Sequence, residues 1–169
     1  YLYYCASMLS KMAELTGRDS DKARYAQLAE RTAEAFNRTY WNEQTGGYAA
    51  NNQAANSFAL FLGIVDETRI PRVVKNLADD VEKHDYHLTT GNLCTKYLME
   101  MLTRYGHAET AYRIATQTTY PSWGYMLQNG ATTLWEGINE LETFSGVFRR
   151  KDGGRLLSLN HHFWGSVSA

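Results

Sequence analysis

Y-L-Y-Y-C-A-S-M-L-S-K-M-A-E-L-T-G, Tyr1 to Gly17, and D-S-D-K-A-R-Y-A-Q-L-A-E-R-T-A-E-A-F-N-R-T-Y, Asp19 to Tyr40, carry the pattern that decides the fold class. In the first, Leu2, Cys5, Leu9, Met12 and Ala13 recur at helical spacing, and Gly17 supplies a stop. In the second, Tyr25, Leu28, Ala29, Thr32, Ala33, Phe36 and Tyr40 share one helical face. Asp19 or Ser20 is placed to cap that helix by accepting from its first N–H groups. Two amphipathic helices joined this closely predict an αα-hairpin.

The pattern recurs downstream. N-E-Q-T-G-G from Asn42 to Gly47 reads as a turn, and Tyr48 to Asn52 as an extended or irregular lead-in. A helix is expected from about Gln53 to Val65. Pro71 suits the first turn of another that runs to about His84, with Val74, Leu77 and Val81 facing inward. Leu93, Cys94, Tyr97, Leu98, Met101, Leu102 and Tyr105 mark the next, which Gly106 ends, and His107 to about Thr118 is its return partner. A short helix near Thr132 to Ile138, a solvated turn at Lys151 to Arg155 and a last helix from near Asn160 follow. No β-strand is expected beyond short loop pieces. The chain is therefore all-α, built of serial αα-hairpins. Such hairpins stack into an open solenoid or a closed toroid. Hairpin lengths vary and no fixed period recurs, unlike the open repeat families. Helical periodicity alone leaves the two architectures open.

The 169 residues suffice for one domain with a sizeable core. The chain starts inside a helix and stops at Ser168-Ala169 on a helix barely begun, so residues 1–169 read as a single partial domain cut at both ends. A net charge of -1 with interspersed signs argues against a nucleic-acid partner, and the lack of a long apolar run argues against a membrane one. Cys5 and Cys94 lie far apart, each on the apolar face of a predicted helix, which predicts two buried thiols rather than a disulfide. His84, Asp85 and His87 have metal-like spacing, but the helix is expected to end between them and no third ligand is evident. No metal or cofactor is expected.

One stretch breaks the helical rhythm: Y-P-S-W-G-Y-M-L-Q-N-G-A-T-T-L-W-E-G, Tyr120 to Gly137. It gathers Trp123, Tyr125 and Trp135 around one carboxylate, Glu136, and its apolar residues follow neither a 3.6 nor a 2 period. Gly124 and Gly130 permit backbone conformations or close approaches that other residues resist, and Asn129-Gly130 is a turn signal. A bent, aromatic-walled loop ending in an acid suits a sugar, with C–H faces on rings and hydroxyls on polar groups. The same residues also suit a lid on a core, with Glu136 capping a helix or pairing with an arginine.

Three blocks extend the argument. P-S-W-G-Y-M-L-Q-N-G-A-T-T-L-W-E (Pro121 to Glu136), H-L-T-T-G (His87 to Gly91) and S-L-N-H-H-F-W-G-S-V (Ser158 to Val167) resemble, in order and spacing, the α-L-rhamnosidases of glycoside hydrolase family 78. The likeness covers nearly the whole chain. It implies about half of an (α/α)6 toroid, the later half of that family's catalytic domain, with irregular functional loops. It also implies hydrolysis of a terminal rhamnoside in a glycoside or polysaccharide, with Glu136 as general base of an inverting mechanism. The acid partner is then expected upstream of Tyr1. His161 matches the family histidine that contacts the bound sugar, and Trp123, Tyr125 and Trp135 are the expected wall or stacking residues.

Other readings stand beside these. Either His161 or His162 can cap the last helix while the other packs inward, and Trp164 is expected in the core. Thr89 or Thr90 is expected to cap the helix after H-L-T-T-G, with His87 lining or supporting the pocket. Glu140 and Glu142 sit in a loop that can approach the site, though no motif supports them. Gly137-Ile138-Asn139 departs from the charged or aromatic residue usual after the W-E pair, where neighbouring subsites would be shaped. Rival functions are another (α/α)6 glycosidase of different sugar specificity and a non-catalytic sugar-binding or scaffold module.

Overall fold

In the computed structural model, residues 1–136, 141–144, 147–150, 158–162 and 165 are described. They form seven helices: α1 Leu2–Leu15, α2 Asp19–Tyr40, α3 Gln53–Leu62, α4 Ile70–Lys83, α5 Asn92–Arg104, α6 Ala108–Ala115 and α7 Trp123–Gln128. Two antiparallel hairpins accompany them, β1 Trp41–Asn42 with β2 Gly47–Tyr48 and β3 Leu141–Phe144 with β4 Val147–Arg150.

Helix ends are set by local chemistry. Gly17 takes φ +68° and Arg18 N–H donates to Ala13 O at 2.8 Å, turning the chain from α1 into α2. Gly106 at φ +89° and His107 N–H to Leu102 O at 2.7 Å repeat the device between α5 and α6. Asn52 caps α3 by accepting from Ala55 N–H at 3.0 Å. Pro71 lies in the first turn of α4, where its missing N–H costs nothing.

α1 packs along α2, α3 on α4 and α5, and α5 on α6. Rings join the odd-numbered helices into one layer: Tyr4 of α1 meets Phe61 of α3 at 6.4 Å, and Phe61 stacks on Tyr97 of α5 at 4.0 Å. The core between this layer and α4 and α6 takes in Leu60, Val73, Leu77, Val81, Leu98, Met101, Leu102 and Ile114, joined by Tyr48 of β2, Met126 of α7 and Trp135.

The connections before α3, α5 and α7 meet at the N-terminal ends of those helices. Gln53, at the start of α3, bonds to the 87–89 segment, and Gln117 Nε2 donates to Asp85 O at 2.9 Å. Among the described residues, no helix is long and apolar enough to cross a membrane.

Several local expectations give way. Arg18, not Asp19 or Ser20, occupies the cap of α2; Asp19 and Asp21 lie in its first turn, where carboxylates favour the helix dipole. Gly91 is the cap of α5, and Thr90 turns inward to bond Thr95 Oγ1 at 2.7 Å. Cys5 is exposed and Cys94 half-buried, both as thiols. The packed face of α1 carries Tyr3, Ala6, Ser7, Ser10 and Ala13, so the stripe of Leu2, Cys5, Leu9 and Met12 faces outward. The expected helix near Thr132 is absent as far as Glu136, because that segment bonds to residues 158–161 instead; Ile138 lies outside the described residues. Glu142 falls in β3 rather than a loop. Residues 158–161 are not helical, His162 and Gly165 are in 3₁₀ conformation, and the turn at Lys151 to Arg155, Glu140, Trp164 and Gly137-Ile138-Asn139 lie outside the described residues.

Candidate functional site

The aromatic stretch is short helix, tight turn and extended arm in succession. Ser122, almost fully buried, caps α7 by accepting from Tyr125 N–H at 3.0 Å. Beyond the helix Gly130 takes φ +80° and Ala131 N–H returns to Met126 O at 3.0 Å, which reverses the chain. Gly124 is needed for a different reason. A Cβ there would lie 2.4 Å from Gln117 O and 2.9 Å from Thr118 Cα, so the first turn of α7 rests directly on the 117–118 backbone. Gly124→Ala is expected to lift α7 off that segment and cost about 1–3 kcal/mol. A lower urea midpoint with an unchanged m-value would check it.

The arm beyond Gly130 joins the third sequence block. Glu136 N–H donates to Ser158 O at 2.7 Å, and Ser158 N–H donates to Glu136 Oε2 at 2.8 Å. His161 N–H donates to Leu134 O at 2.7 Å, and the Thr133 hydroxyl donates to Leu159 O. Leu134 and Leu159 pack on the core beneath this pairing. The candidate acid and the candidate sugar-contact histidine are therefore mounted on two paired segments. The carboxylate is oriented by a peptide N–H, a charge-assisted bond stronger than a neutral one. His161 and His162 stack with ring centroids 6.0 Å apart.

The aromatic candidates separate. Tyr125 is half-buried and meets Tyr120 edge-on at 5.4 Å, while Trp123 is half-buried against the core. Trp135 is 3% exposed and belongs to the core itself. His84 and His87 turn ring nitrogens to peptide carbonyls, His84 Nδ1 to Asp80 O at 2.7 Å and His87 Nδ1 to His84 O at 3.0 Å. The sequence reading did not single out Ser158, which holds the acid, or Ser122, which caps α7. A serine before W-G-Y is a capping signal, but a helix this short has too few turns for periodicity to register.

The sequence profile of the bacterial alpha-L-rhamnosidase 6 hairpin glycosidase domain matches residues 1–169. The chain belongs to this family. Its helical hairpins are accordingly part of an α/α toroid. The α-L-rhamnosidase of Streptomyces avermitilis is 33% identical over 167 residues, matching 99% of this chain and 16% of its own. Among solved structures, the α-L-rhamnosidase of Dictyoglumus thermophilum superposes with a TM-score of 0.86 at 39% identity, over 98% of this chain and 18% of that one. The Streptomyces avermitilis enzyme complexed with L-rhamnose gives 0.82 at 32%, over 98% of this chain and 15% of that one. The chain thus spans less than one-fifth of the length of each of these relatives.

Proposed function

We propose that this chain is part of an α-L-rhamnosidase that hydrolyses terminal α-L-rhamnosides, in glycosides or polysaccharides, with inversion. Glu136 acts as the general base: its carboxylate takes a proton from the water that attacks the anomeric carbon. A general acid on the opposite side protonates the departing glycosidic oxygen. In inverting enzymes the two groups stand roughly 6.5–9.5 Å apart, which leaves room for that water. The acid comes from outside the 169 residues, and the chain supplies the later half of the toroid, so it has no activity by itself. The outward stripe of α1 is then apolar surface that the rest of the domain covers.

His161 contacts a sugar hydroxyl, since imidazole can donate or accept, and Trp123 and Tyr125 wall the pocket. Trp135 serves the same site from behind, as the buried support of its neighbour Glu136. The observation that carries this reading is the reciprocal bonding of Glu136 with Ser158 alongside His161 with Leu134, which unites two distant sequence blocks. The L-rhamnose in the Streptomyces avermitilis structure supports the sugar assignment.

A panel of nitrophenyl glycosides offered to the full-length protein tests it. Turnover of the α-L-rhamnoside is expected, with the β-anomer of rhamnose appearing first by proton NMR. Turnover of glucosides but not rhamnosides, first release of the α-anomer, or sugar binding without hydrolysis would each overturn it.

A further inference from the structure

We propose that His87 and Thr119 are positioning residues for the sugar site, tying the H-L-T-T-G segment to the base of α7. The inference rests on the rhamnosidase reading and extends it to residues that the three-block resemblance assigns no contact with sugar.

The anchor is Gln53, which is fully buried. Its Nε2 donates to His87 O at 3.0 Å, and its Oε1 accepts from Thr89 N–H at 3.0 Å. One side-chain amide thus engages two peptide groups of the 87–89 segment, as a neighbouring peptide does in a sheet. The amide orientation is dictated by its partners, because a carbonyl can only accept and an N–H can only donate. Leu88, between them, is buried in the core. The backbone that carries His87 is therefore fixed from below and from the side.

The imidazole extends that rigidity outward. His87 Nδ1 lies 3.0 Å from His84 O and Nε2 2.8 Å from Thr119 Oγ1. The His84 carbonyl requires a proton on Nδ1, so in the neutral ring Nε2 accepts from the Thr119 hydroxyl. In the protonated ring Nε2 donates instead, and the threonine hydroxyl can turn to Gln117 Oε1, 3.1 Å away. The link persists in both states.

Thr119 belongs to the segment on which α7 rests. The close approach of Gly124 to Gln117 O and Thr118 means that the helix carrying Trp123 and Tyr125 follows any shift of residues 117–119. The path runs from a buried glutamine through an imidazole and a hydroxyl to the pocket wall. Each step is a direct contact, and the exposed hydroxyl is the one step removable without touching the core.

Thr119→Val in the full-length enzyme removes the hydroxyl and keeps the shape. The expected result is a KM for nitrophenyl α-L-rhamnoside raised about three- to tenfold, the range of one lost hydrogen bond. The melting temperature and kcat should hold, and Thr119→Ser should restore the wild-type KM. In a His87→Ala background, Thr119→Val should add nothing further. Wild-type KM for Thr119→Val, equal impairment of the valine and serine variants, or a full additional effect in the His87→Ala background would overturn the inference. An inactive wild-type enzyme would instead overturn the rhamnosidase reading, so the two failures are distinct.

Discussion

Glu136→Gln in the full-length protein is expected to lower kcat for a rhamnoside by about 10²–10⁴-fold, the usual contribution of a general base. The substitution keeps the shape of the side chain and an oxygen able to accept from Ser158 N–H, so the 2.8 Å bond that orients the group survives. An amide cannot take a proton from the attacking water. Thermal unfolding should therefore coincide with wild type, while KM changes little because ground-state contacts to the sugar are kept. If the variant turned over within twofold of wild type, Glu136 would be a structural acceptor for the 158 segment and nothing more.

Trp135→Ala is expected to produce the largest loss of stability, about 3–5 kcal/mol, the range for a buried tryptophan cut back to a methyl group. The indole is 3% exposed and packs in the same cluster as Met126, Leu98 and Met101. Its burial also separates two roles that the sequence left together. A pocket-wall tryptophan, once truncated, raises KM at nearly constant stability. A core tryptophan lowers the denaturation midpoint and, by loosening the residue beside Glu136, lowers kcat. A urea titration paired with steady-state kinetics reads both, and an unchanged midpoint with a raised KM would return Trp135 to the sugar.

The hairpins were legible because their signals are long and redundant. In α4, five inward residues from Val73 to Val81 agree with one period, and Gly17 and Gly106 sit where the chain must take positive φ. What failed was local choice between equivalent partners. Asp19 has the chemistry of a cap yet works one position later, and Thr90 finds a better partner inside than at the helix end. The stripe on α1 is another such case: periodicity says that Leu2, Leu9 and Met12 share a face, but not whether α2 is what covers it. At the site, Glu136 was legible as the candidate acid and its means of support was not. Ser158 contributes only backbone, which no side-chain pattern can announce. Gln53 was hidden for a related reason, since a polar residue at a helix start ordinarily faces solvent.

The clasp between Glu136 and Ser158 closes the neck of a 21-residue interval, which includes the β3–β4 hairpin. A segment pinned at its neck can be lengthened, trimmed or exchanged at small entropic cost, because closure depends only weakly on the size of the excursion. A change of length between these two residues would therefore leave the pairing of Glu136 with Ser158 and of His161 with Leu134 in register.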